Sequence, residues 1–261
     1  MEGLLVSFGV FIILGIVTYV GAWYTVKSDS PHALIGIYIL FLTLAQFFAA
    51  KSQASFNLGI ITLIAPAGVI VFPFTMQVTD MVNEKFGRKA VYEMIWMAFI
   101  SQILMIFLLY LAIFLPIKEG NTDPLEAFFI VPSITFASWI SFFISERFDA
   151  WIYDQIRGWI QNKVEERQQW WKYLWIRNVI SDILSLGIDS IIFVPLAFLI
   201  LPSIHQAIDP AFPVIIIFPI AVVIETIIGQ IGTKWFLGVI DTPFMYLTRW
   251  IYEKDLQKQP S

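Results

Sequence analysis

The sequence predicts an all-α integral membrane protein of about seven transmembrane helices, and three observations carry that prediction. First, 58% of the 261 residues are hydrophobic and only 14% are charged, with a mean hydropathy of +0.76. A soluble domain of this length cannot bury so much apolar surface, which makes the bilayer the solvent. Second, apolar runs of about 20 residues, the length that crosses the hydrocarbon core, recur near 3–25, 32–50, 58–80, 90–116, 128–150, 176–201 and 212–248. Third, basic residues gather on alternate connections. With the N-terminus outside, the inner segments carry Lys27; Lys85, Arg88 and Lys89; Arg147, Arg157, Lys163, Arg167, Lys172 and Arg177; Arg249, Lys254 and Lys258, which is 13 of the 16. The outer segments carry Lys51 and Lys118, and Lys234 lies inside the last run. This positive-inside bias fits seven helices in a cell membrane, N-terminus out and C-terminus cytoplasmic.

The runs are justified in order. The first has no Lys or Arg ahead of it, so it is expected to be a permanent span rather than a cleaved leader. The third contains "APAGVIVFP" (65–73), where Pro66, Gly68 and Pro73 predict a broken or kinked helix. Discontinuous helices often mark transporter sites. The same run ends in "TDMVNEKFG", which sets Asp80, Asn83, Glu84 and Gly87 on one helical face, with Pro73 and Gln77 extending the stripe. Gly87 is the expected helix stop. Between the fifth and sixth runs, "GWIQNKVEERQQWWKYLW" (158–175) reads as a polar connection with an interfacial tryptophan belt.

In the sixth run, Asn178, Asp182, Ser185 and Asp189 recur on one face, Asp189 about two turns deeper than Asp182. The seventh run is expected to be a single helix, because splitting it would move the C-terminal charges outside. Gln230, Lys234, Leu237 and Asp241 share one of its faces, and Glu225 lies on the opposite side. A charge at a helix centre costs about 2.5–3.5 kcal/mol on insertion. A contact between Asp189 and Lys234 would let each offset the desolvation of the other.

Other chemistries find little support. There are no cysteines, hence no disulfide and no thiolate metal site. His32 and His205 lack partners at metal-ligand spacing, and no cofactor is expected. "GQIGTK" lacks phosphate-loop spacing, no nucleophile–base pair stands out, and nothing suggests nucleic-acid binding.

Four blocks occur in an order that resembles the queuosine precursor transporter family, also called the vitamin uptake transporter family. They are "KSQASFNLGIITLIAPAGVIVFPFTMQVTDMVNEKFGRKA" from Lys51, "SERFDAWIYDQIR" (145–157) with Glu146 and Asp149, "RNVISDILSLGIDSIIF" (177–193) and "KWFLGVIDTPFMYL" (234–247). The chain departs from the family pattern at Gln46, where an Asn is usual, and at Leu186, where an amide is usual. The resemblance implies one transmembrane domain over 1–261. It would comprise an extra N-terminal helix (1–31), a six-helix core (32–250) similar to the substrate-binding subunits of energy-coupling-factor transporters, and a cytoplasmic tail (251–261). It also implies a non-enzymatic importer of 7-deazaguanine bases for tRNA modification, surrounded by membrane lipid; a homodimer is left open.

Such a base offers two adjacent N–H donors, a carbonyl acceptor and flat faces. Carboxylates accept the donors, an ammonium or amide answers the carbonyl, and aromatic rings stack on the faces. The expected substrate-binding set is therefore Gln46, Lys51, Phe74, Asp80, Asn83, Glu84, Glu146, Asp149, Asn178, Asp182, Asp189, Gln230 and Lys234. Two other readings stand beside this one. One is a substrate-binding subunit for another vitamin or nucleobase with a separate energising module. The other is a seven-helix retinal protein with Lys234 as the anchor, against which stands Gln230 in the counter-ion place.

Overall fold

The computed structural model describes residues 2–51, 53–57, 62–113, 115, 131–163, 173–208 and 217–256. Its helices are α1 (Glu2–Ser28), α2 (His32–Lys51), α3 (Phe72–Phe86), α4 (Arg88–Ile113), α5 (Val131–Lys163), α6 (Leu174–Pro195), α7 (Leu201–Ile208) and α8 (Ile220–Leu256). A two-stranded antiparallel hairpin, β1 (Gln53–Asn57) and β2 (Thr62–Pro66), lies between α2 and α3.

That hairpin corrects the expected third span. Residues 62–80 are not one kinked helix: β2 leads into a 3-10 turn over 67–70, and α3 begins only at Phe72. Pro66 has no N–H for a helical ladder, and Pro73 is tolerated at the second position of α3 because that N–H would be unpaired in any case. The freed backbone groups pair across the hairpin, from Gln53 opposite Pro66 to Asn57 opposite Thr62. Gly68 is required by the packing here, since a Cβ at that position would stand 2.3 Å from the Ala45 carbonyl oxygen of α2. At its other end α3 stops at Gly87, whose φ of 80° is open to glycine; its N–H donates to the Asn83 carbonyl at 3.0 Å.

Two long helices continue past the expected spans. α5 runs for 33 residues into the polar stretch that begins at 158, and α8 is a single helix of 37 residues, about 55 Å long. The sixth span continues as helix past Pro195, with a local change of winding, into α7. Beyond Pro195 one π turn covers 196–200, and its Phe198 carbonyl accepts a bond from the Phe218 N–H at 2.9 Å. The Phe198 and Phe218 rings stack at 4.8 Å.

Among the described residues, five segments are long and apolar enough to cross a membrane: 8–28, 32–49, 88–109, 179–208 and 220–238. α3, at 15 residues, and the polar-striped α5 are not among them. Outward-facing residues such as Ile100, Leu104, Phe107 and Leu108 are exposed, as a lipid-facing surface requires. Inside the bundle, α6 packs between α5 and α8, while α3 touches α1 and α2 on one flank and α5, α6 and α8 on the other.

Candidate ligand-binding site

Four helices bring polar side chains together in the interior. α3 contributes Thr79, Asp80 and Asn83; α5 contributes Glu146 and Asp149; α6 contributes Ser181, Asp182, Ser185 and Asp189; α8 contributes Gln230, Thr233 and Lys234. All are buried. Each set follows a helical repeat, so one face of each helix is polar and the opposite face is free to meet apolar neighbours.

The carboxylates are held individually. The Thr79 hydroxyl donates to Glu146 Oε2 at 2.6 Å. Ser185 Oγ lies 3.0 Å from Asp149 Oδ1, and Ser181 borders the same carboxylate. Lys234 Nζ, fully buried, forms an ion pair with Asp189 Oδ2 and sits 4.2 Å from the centroid of the Phe72 ring. Asp182 faces α8, where a Cβ built on Gly238 would lie 3.9 Å from its Oδ2. Tyr38 of α2, also buried, lies beside Glu146.

Lower along α3 the polar contacts fasten helices. Asn83 Nδ2 donates to the Ala150 carbonyl at 3.1 Å, and Arg157 donates to the Asn83 carbonyl at 3.1 Å. The Tyr153 hydroxyl reaches Glu84 Oε2 at 3.4 Å; Glu84 itself is half-buried.

Among the described residues, Asp80, Glu146, Asp149, Asp182 and Asp189 are buried acids, against one buried cation, Lys234. Glu146 Oε1, Asp149 Oδ2 and Asp189 Oδ1 have no hydrogen-bond partner among the described residues. Buried carboxylate oxygens are nearly always paired. This arrangement can accept several N–H bonds from a donor-rich molecule and offers one ammonium for an acceptor.

The expected set is thus divided by the fold. Glu146, Asp149, Asp189 and Lys234 converge and Asp182 faces α8 close by; Asp80 and Gln230 are buried in α3 and α8, while Asn83 and Glu84 lie at the α3–α5 junction. Gln46 is buried in α2, its Oε1 without a partner among the described residues. Phe74 lies on the other flank of α3, packed on Phe11 at 4.7 Å and Phe41 at 6.3 Å. The side chains of Lys51 and Asn178 lie outside the described residues. Thr79, Ser181, Phe72 and Tyr38 were not singled out from sequence. Thr79 could have been, since it precedes Asp80 and stands four residues before Asn83.

Residues 66–248 match the family described as "Putative vitamin uptake transporter". The chain belongs to this family. It is therefore a transport protein and not an enzyme, and with its apolar helices it is a multi-pass membrane protein that handles a small molecule. The family match takes in every residue of the α3–α5–α6–α8 convergence and leaves Tyr38, Gln46 and Lys51 ahead of it. A relative from Bacillus subtilis (strain 168), "Probable queuosine precursor transporter", is 23% identical over 209 residues, which cover 79% of this chain and 81% of the relative. No solved structure matches the chain.

Proposed function

We propose that this family member imports a queuosine precursor, a 7-deazaguanine base, and that the convergence of α3, α5, α6 and α8 is where it binds. The observation that carries the reading is the set of three buried carboxylate oxygens, Glu146 Oε1, Asp149 Oδ2 and Asp189 Oδ1, without partners among the described residues and near a buried ammonium. The paired N–H donors on the pyrimidine edge of such a base suit one carboxylate bidentately, and Lys234 suits its carbonyl. Phe72 supplies a ring for a base face, a contact worth about 1–3 kcal/mol. The name of the Bacillus relative supports the same substrate class.

The basic residues support an orientation with the N-terminus outside and the C-terminus cytoplasmic. Lys85 bridges to Asp29 at 3.2 Å and Arg88 to Asp154 at 3.6 Å, so the α1–α2 connection, the α3–α4 junction and the lower part of α5 share one end of the bundle. That end carries the cationic excess of a cytoplasmic face.

Thermal-shift titration of the purified protein with queuine, its two 7-deazaguanine intermediates, guanine and unrelated vitamins tests the substrate. Stabilisation by at least one 7-deazaguanine and by no vitamin is the expected result. A well-folded protein that responds to none of the deazaguanines contradicts the assignment. Single cysteines in the cysteine-free chain test orientation: one in 119–125 should react with an impermeant reagent added outside, and one in 160–168 should not.

A further inference from the structure

The outer flank of the bundle holds a cation that the transport site does not use. Arg147 follows Glu146 on α5 but points the other way, towards α4, and is half-buried. Its guanidinium carbon stands 4.8 Å from the ring centroid of Tyr92, 5.0 Å from that of Phe143 and 5.9 Å from that of Trp96. Trp96 packs edge-on against Phe143 at 5.2 Å and is 47% exposed on the outer surface. We propose that Arg147 and these three rings form a binding site for the phosphate of an anionic phospholipid.

The argument rests on what the rings leave unsatisfied. A guanidinium has five N–H donors in its plane and no acceptor. Aromatic faces attract the cation, but they do not replace oxygen acceptors at its edge. Among the described residues Arg147 has no carboxylate within ion-pair distance and no hydrogen bond. The nearby acids are engaged or turned to solvent: Asp154 pairs with Arg88, Glu146 points inward to Thr79, and Glu93 is exposed. A phosphodiester offers two oxygens that match the guanidinium fork.

Depth fits the same ligand. Tyr92 and Trp96 lie one and two turns along α4 from Arg88, about 6 and 12 Å by helical rise. The guanidinium therefore sits just inside the charged end of the bundle, where headgroups meet acyl chains and tryptophans concentrate. Exposed Ile144 and Trp151 flank it on α5 with surface for a lipid chain. Exposed Lys89 at the same end adds positive charge that favours an anionic headgroup over a zwitterionic one.

Native mass spectrometry of the delipidated full chain, incubated with equimolar phosphatidylglycerol and phosphatidylcholine, tests the site. The wild type should retain phosphatidylglycerol preferentially, and Arg147→Gln should retain at least fivefold less. Phosphatidylglycerol should raise the melting temperature of the wild type and not of Arg147→Gln; inorganic phosphate should do neither. Should Arg147→Gln fail to fold, Trp96→Leu keeps the cation, opens the cage and should weaken retention. No lipid preference in the wild type, or undiminished retention in a folded Arg147→Gln, overturns the proposal. Equal stabilisation by inorganic phosphate would identify a site for soluble anions and overturn it as well.

Discussion

The two flanks of α3 are equally buried and chemically opposite. Towards α1 and α2, Phe74 meets Phe11 and Phe41 within a continuous apolar core. Towards α5, Thr79 holds Glu146 and Asn83 holds the Ala150 carbonyl, with Asp149, Asp189 and Lys234 close behind. The first flank shows that van der Waals packing is enough to join helices in this bundle. The second carries buried charges whose desolvation apolar side chains of similar volume would avoid. Cohesion alone does not account for them, and on the proposed function the difference separates a part of the protein that holds the fold from a part that serves a ligand.

Substitutions can break or sharpen that contrast. The largest effect is expected at the buried ion pair. Asp189→Asn or Lys234→Met alone should destabilise the protein by about 3–5 kcal/mol, because each leaves an unpaired buried charge. The double variant should recover at least half of the loss in chemical denaturation, a coupling that independent residues would not show. Next, Phe74→Ala should cost about 3 kcal/mol through cavity formation, while ligand affinity in the folded protein stays at the wild-type value. An affinity loss there would mean that the apolar flank also serves the ligand. Gly68→Ala, whose new methyl meets the Ala45 carbonyl, should cost about 1–3 kcal/mol by overpacking, again read as melting and not as affinity. The smallest effect belongs to Thr79→Val. Losing its bond to Glu146 should remove about 1.5 kcal/mol of stability, read as a lower melting temperature.

Much of this contrast was legible in the sequence, because helical period converts spacing into faces. Asp182, Ser185 and Asp189 on one stripe, and Gln230 and Lys234 on another, turn inward together as the spacing required. Comparable depth pointed to a contact between Asp189 and Lys234 without establishing it, and the two do form an ion pair. The hairpin was not legible. Residues 58–72 are apolar almost throughout, and such a run has no period to distinguish strand from buried helix. Only the backbone demands of Pro66 and Gly68, and the pairing partner at 53–57, decide it. The aromatic neighbour of Lys234 escaped for a related reason. Phe72 and Phe74 are two residues apart, about 200° around a helix, and the sequence does not show how α3 is rotated. Phe72 turns towards Lys234 and Phe74 into the apolar core.

The central claim is that the carboxylates between α3, α5, α6 and α8 receive the base. Isothermal titration of a 7-deazaguanine into wild-type protein and Glu146→Gln tests it most directly. The substitution keeps the shape of a side chain whose Oε1 has no partner among the described residues, and replaces an acceptor with a donor. The account predicts a melting temperature near that of the wild type and affinity weaker by about ten- to a hundredfold, equivalent to a loss of about 1.5–3 kcal/mol. Wild-type affinity in a folded Glu146→Gln protein would contradict it.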